Sequence, residues 1–175
     1  MRSVAAEVGV DAALISYFFG SKKGLFGAAL ALSANPPEIL LAALEGNPAD
    51  LAERVLGALL QAWDDPDGGD SMRVTVTAAV QDPDLGRLLR EVLEHEMVDR
   101  VAERLGGRAA RSRAAAFLTQ LAGVVFARYV LAVEPVASMP PDELVRHLAP
   151  GLRATLHGPR PPPGTPGSPG AARAR

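Results

Sequence analysis

Glu91 and His95 stand four residues apart, the spacing that puts two ligands on one face of a helix, with Glu94 and Glu96 beside the imidazole. Such a pair makes half of a metal site. Nothing close to it in the sequence supplies the other half: His147 and His157 lie far along the chain, and there is no cysteine to complete a zinc set. The cluster therefore reads as the solvated acidic face of a helix. No Ser/His/Asp order, pair of catalytic carboxylates or glycine-rich cofactor turn stands out. The segment GSKKG at 20–24 lacks the spacing of a phosphate-binding loop, and no strand precedes it. An enzyme is not expected, and neither is a cofactor or a metal.

The elements that would carry a binding function are helical. Hydrophobic residues make up 48% of the 175 residues but aromatics only 5%, so a core must come from close packing of small and aliphatic side chains. That favours an all-α fold. Eighteen basic residues nearly balance 20 acidic ones, so any contact with nucleic acid has to be local. With no cysteine and no apolar leader, the expected compartment is cytoplasmic. The apolar run AAAFLTQLAGVVFARYVLAV at 114–133 has the length of a membrane span, but Gln120 and Arg128 interrupt it. A central arginine costs about 2.5–3.5 kcal/mol on insertion scales, so a buried interface helix is the better reading.

Breakers divide the chain. Gly9 separates two short helices, and Ser21 caps a helix over 21–32. Asn35-Pro36-Pro37 interrupts the path before a leucine-rich piece at 38–44, and Gly46-Asn47-Pro48 opens a helix to Trp63. The stretch DDPDGGD at 64–70 reads as a loop, and the β-branched stretch 72–80 as a helix. Asp82-Pro83 starts a helix to Leu105, Gly106-Gly107 ends it, and further helices follow over 109–133 and from 140, the last containing Pro150. After Gly158 the Pro/Gly-rich sequence cannot bury apolar surface and reads as a disordered tail. Several helices joined by short breaks make an antiparallel bundle.

The first 19 residues have the pattern of a helix-turn-helix. Small residues lead to Gly9 at the turn, then Val10, the N-cap Asp11 and a helix ending in aromatics. Val4, Ala5 and Val8 are expected to pack on Val10 and Leu14. Ala12, Ala13, Ser16 and Tyr17 would face outward, small enough for a major groove about 12 Å wide.

The segment VAAEVGVDAALISYFFGSKKGLF resembles the tetracycline-repressor (TetR) family of transcriptional regulators. The match covers about the first thirty residues, and the ending PDELVRHLAPGLRATL is similar to terminal helices of that family. The resemblance implies that Phe19 is a core residue, that Lys22 touches phosphate and that Leu25 begins the core of the connecting helix. Ser16 and Phe18 depart from it: they occupy expected DNA-facing positions where the family often has tyrosine or histidine on phosphate, so one or two hydroxyl contacts are expected to be lost. In the family a preceding helix completes the head, so Met1 is expected to be an internal methionine or the start of a truncated regulator.

The resemblance also implies three parts: a head over 1–32, incomplete at its start; a ligand-binding and dimerising body over 33–157; and a tail over 158–175. On the helix over 109–133, Ala116, Gly123 and Ala127 form a small-residue stripe with Gln120, while Phe117, Leu121, Val124 and Arg128 form a larger one. With Leu144, Leu148 and Leu152 of the last helix, the small stripe is expected to build a homodimer seam. Trp63, Met72, Phe117, Gln120 and Tyr129 are the expected walls and polar handles of an effector pocket. The implied function is a repressor released from double-stranded DNA by a small apolar or weakly polar molecule. A dimeric helical ligand-binding protein that has lost DNA binding stays open as the alternative.

Overall fold

The computed structural model describes residues 5, 6, 9–20, 25 and 36–158, and among these every regular element is helical. Of the expected connecting helix at 21–32 the structure describes Leu25, which is helical and half-buried; Lys22 and the tail after Gly158 lie outside the described residues.

In the head, α1 spans Ala12–Phe19, and the Asp11 carboxylate caps it by accepting from the Ala13 amide at 2.8 Å. Gly9 turns the chain with a φ of 70°, which a side chain would resist, and the Val10 amide then donates to the Ala5 carbonyl. Ala5 and Ile15 are buried here, whereas Val10 and Leu14 remain about half exposed. The expected packing on Val10 and Leu14 is thus corrected. Ile15, one residue further round the helix, is the inward side chain.

Helix α2 is Pro36–Leu44, and the proline at its first position costs nothing because that N–H has no helical partner. Asn47 caps a short turn at Pro48–Asp50 that runs into α3, Leu51–Asp64. The stretch at 64–70 is not a loop. Asp65 accepts from the Gly68 amide at 2.7 Å and Pro66 takes the first position, so α4 already runs over Pro66–Gln81. Helix α5 begins at Pro83 under a double cap from Asp82, whose Oδ1 accepts from Asp84 and Leu85. It continues from Pro83–Glu91 through a π-helical stretch, Val92–Val98, into Asp99–Leu105. Helix α6 is Ala110–Val125 extended by a second π-helical stretch, Phe126–Val130, and α7 is Pro141–His157 with Pro150 inside it.

Helix α3 runs through the centre. Its stripe of Leu51, Val55, Leu56 and Leu60 meets Leu40 and Leu44 of α2, Val101 of α5, Phe117 and Leu121 of α6, and Leu144 and Leu152 of α7 in one core. Each fully buried leucine contributes about 1.5–3 kcal/mol. Polar ties hold the helices in place around it. Glu53 pairs with Arg153 between α3 and α7. Arg113 of α6 donates to the carbonyls of Leu156 and Gly106, both at 2.7 Å, and so fastens the end of α7 to the turn between α5 and α6. No helix of the described residues is long and apolar enough to cross a membrane, and Phe117, Leu118, Leu121 and Val124 of the apolar run are buried in the bundle.

Candidate ligand cavity and nucleic-acid interface

A cavity of about 50 Å³ lies between α2, α3, α4, α5 and α6. The four-residue spacing of Val55, Leu59 and Trp63 lays one ridge of α3 along it. Pro36, Ile39 and Leu40 close it from α2, Met72 from α4, Met97 from the π-helical stretch of α5, and Leu121 from α6. Every lining side chain is apolar except for the indole N–H of Trp63. Two methionines in so small a space matter, because their unbranched side chains let the walls rearrange around an occupant.

Behind this cavity stands a polar layer. The rings of Trp63 and Tyr129 stack at 5.2 Å, and the Tyr129 hydroxyl donates to the Asp64 carboxylate at 2.9 Å. Burial, with that carboxylate as the second cause, pushes the Tyr129 pKa well above the usual tyrosine value. The Arg128 side chain is almost fully buried and donates to the carbonyls of Val136 and Met139, each at 2.7 Å. Asp64 lies 3.9 Å away, and the guanidinium sits 5.5 Å from the Tyr129 ring centre. The Arg128 cation is therefore held by protein oxygens.

The raised Tyr129 pKa has a definite sign. A folded state that keeps the phenol protonated is favoured fully below about pH 10, and that advantage is lost as pH rises further and the unfolded chain releases its proton. Tyr129→Phe should flatten the alkaline limb of stability measured in urea between about pH 9 and 11. A limb as steep as in the parent chain would show that another group governs it.

Of the five expected pocket residues, Trp63 and Met72 line the cavity and Tyr129 stacks behind it. Phe117 does not reach it and is fully buried in the main core. Gln120 is exposed on another side of α6, where it donates to the Thr155 hydroxyl of α7 at 2.6 Å. Sequence reasoning missed Val55, Leu59, Leu121 and the α2 residues, although the 55–59–63 ridge was a usable signal.

Among the expected seam residues, Leu144 and Leu152 are buried in the chain's own core, and Leu148 packs partly against it. They are turned inward because they lie on the apolar stripe that faces α3 and α6. Ala116 and Gly123 are exposed and Ala127 is half-buried. On α7 the exposed counterparts are Pro150, Gly151 and Ala154, and with Ala116 the residues Pro150 and Ala154 border an open groove between α6 and α7.

In the head, Ala13, Ser16, Tyr17 and Phe18 are exposed and Ala12 is partly covered. Tyr17 and Phe18 are 82% and 73% exposed and touch edge to face at 5.3 Å, so α1 presents aromatic surface outward. Among the described residues, no group of acidic and imidazole side chains is placed to hold a metal ion.

Among the described residues the fold is an all-α bundle that follows a short helical head. The family described as "Tetracyclin repressor-like, C-terminal domain" matches residues 49–156. A crystal structure of a TetR-family regulator from Streptomyces coelicolor A3 shares 32% identity, with a TM-score of 0.62 over 89% of this chain and 82% of that one. The chain belongs to the TetR family. No curated protein matches it.

Proposed function

We propose that the chain is a cytoplasmic repressor, released from a DNA operator when a small molecule enters the cavity between α2 and α6. One observation carries this reading: the cavity is closed by α2, the first described helix that follows the head in sequence, so an occupant bears on that helix. The apolar lining favours an uncharged, hydrocarbon-rich effector. The head extends over 1–32 and the ligand-binding body over 33–157, with the tail from 158. Ala12, Ala13, Ser16, Tyr17 and Phe18 meet the duplex, and Lys22 neutralises a phosphate. The experiment is a gel shift on the DNA upstream of the chain's own coding sequence. Lys22→Ala should weaken binding to all duplexes alike and lower the salt slope by about one, whereas Tyr17→Ala should change sequence preference. Normal binding by Lys22→Ala at two salt concentrations would overturn the phosphate contact.

The exposed face of α6 and α7 supports a homodimer, with Ala116, Gly123 and Ala127 at the seam and Leu148 at its edge. A side chain added at Gly123 meets nothing within 4 Å inside the chain. Gly123→Leu should therefore leave the fold of one subunit intact while costing a close-packed seam about 1–3 kcal/mol. Light scattering across a dilution series reads it: dissociation at higher concentration is expected, and an unchanged dimer places Gly123 outside the seam.

A further inference from the structure

Trp63 lines the cavity, is 8% exposed, and carries an indole nitrogen that can donate a hydrogen bond but never accept one. A buried tryptophan ordinarily finds a partner for that N–H. Here, among the described residues, nothing accepts from it. The polar groups that stand nearby are committed elsewhere. The Asp64 carboxylate accepts from the Tyr129 hydroxyl, and Arg128 is tied to the Val136 and Met139 carbonyls. Tyr129 also covers one face of the indole, with 28° between the two rings, so what Trp63 offers the cavity is its other face and its edge. Water meets the unmatched donor poorly. A buried water is held by about two to four polar partners, and among the lining side chains only Trp63 has a polar hydrogen to give.

We propose that the Trp63 indole N–H is the hydrogen-bond donor of this cavity, and that the occupant it selects is a compact hydrocarbon carrying one neutral acceptor, such as a ketone or ether oxygen. A plain hydrocarbon leaves the donor unmet, which forfeits the cost of having taken that N–H out of water. An ionised acid brings a charge into an apolar site, and the nearest cation, Arg128, is already held by protein oxygens. Size follows from the walls. A void of about 50 Å³ is a third of the roughly 150 Å³ that admits benzene, so a ring enters only as Met72 and Met97 give way. The inference rests on the proposed ligand-responsive reading and deepens it by naming the chemistry that the cavity selects.

Trp63 is the only tryptophan of the sequence, so the isotopically labelled full-length protein gives a single indole N–H signal by nuclear magnetic resonance. The probes are cyclopentanone and methylenecyclopentane, which share a shape and differ in an exocyclic oxygen against a methylene. Labelled methionine methyl groups report where they bind, because Met72 and Met97 line the cavity whereas Met139 packs against the main core. Met97→Leu and Met139→Leu assign the signals. Both probes should move the Met72 and Met97 methyls and leave Met139 in place, and cyclopentanone alone should shift the indole proton downfield. Trp63→Phe keeps an aromatic ring without the donor. The cost of drying the ketone oxygen is common to both proteins and cancels, so the ratio of ketone to alkene affinity should fall about fivefold in the variant. The indole shift is read on the parent chain and decides the matter even where Trp63→Phe fails to fold by circular dichroism. Equal indole shifts with the two probes, no indole shift while cyclopentanone moves the Met72 and Met97 methyls, or an unchanged affinity ratio in folded Trp63→Phe would overturn the inference and leave the ligand-responsive reading standing. If neither probe moves those methyls up to its solubility limit, the inference falls together with the reading of this cavity as the effector site.

Discussion

Phe117→Ala should lower the unfolding free energy by about 3–5 kcal/mol, the usual cost of emptying a fully enclosed aromatic site. The reason lies in where the ring sits. Phe117 has no exposed surface and shares its core with residues of α2, α3, α5 and α7, so closing the void would require several helices to move together. Interiors packed to crystal-like density do not relax that far. For a chain of this length each kcal/mol corresponds to roughly 2–4 °C, so a fall in melting temperature of roughly 10 °C is expected. Urea unfolding of both proteins measures it. A loss below about 1 kcal/mol would mean that Phe117 borders free space, as a pocket residue would.

Gly69→Ala should be nearly as damaging although it adds one methyl group. A Cβ there would lie 2.2 Å from the Trp63 carbonyl oxygen. Backbone cannot swing aside as a side chain does, so α4 has to lift away from the end of α3, and Trp63 and Met72 separate with it. Overpacking of this kind costs typically 1–3 kcal/mol and occasionally more, against a gain of about 1 kcal/mol from alanine's better helix propensity. A net loss of about 1–2 kcal/mol is expected. Gly57→Ala is the matched comparison, since it sits within α3 with nothing inside 4 Å and should gain up to about 1 kcal/mol. If both substitutions stabilise the chain, the close approach at Gly69 is not as drawn.

The two glycines show what a sequence conveys and what it withholds. Helix starts were legible at three side-chain caps: Asp11, Asn47 and Asp82 each accept the backbone amides that their positions promised. The stretch at 64–70 misled because aspartate, proline and glycine serve equally well in a loop and in the first turn of a helix. In the structure Gly68 and Gly69 are buried helical residues, and Gly69 lies against the backbone of Trp63. Periodicity identified Phe117 and Leu121 as one inward stripe, yet it cannot say which of two inward residues meets a void. That depends on the side chains of other helices, here Val55, Leu59 and Met97. Gln120 shows the complementary limit. A polar residue in an apolar run looks like a handle for a ligand until the neighbouring helix supplies Thr155. Leucines at four-residue intervals in the last helix likewise mark an apolar face without telling whether a partner subunit or the chain's own core covers it. For Leu144 and Leu152 it is the core.

The exposed surface of α6 and α7 carries a thermodynamic consequence of its own. Ala116, Gly123, Pro150, Gly151 and Ala154 have no rotatable side chains to immobilise. Long side chains at an ordinary contact each lose about 0.5–1.5 kcal/mol of freedom when they are fixed, and these five positions carry none of it, while Gln120 and Arg153 beside them do. A surface of this kind can associate through modest area, because little of the attraction is cancelled by ordering. Its association should therefore show a calorimetric entropy more favourable than its contact area alone would suggest.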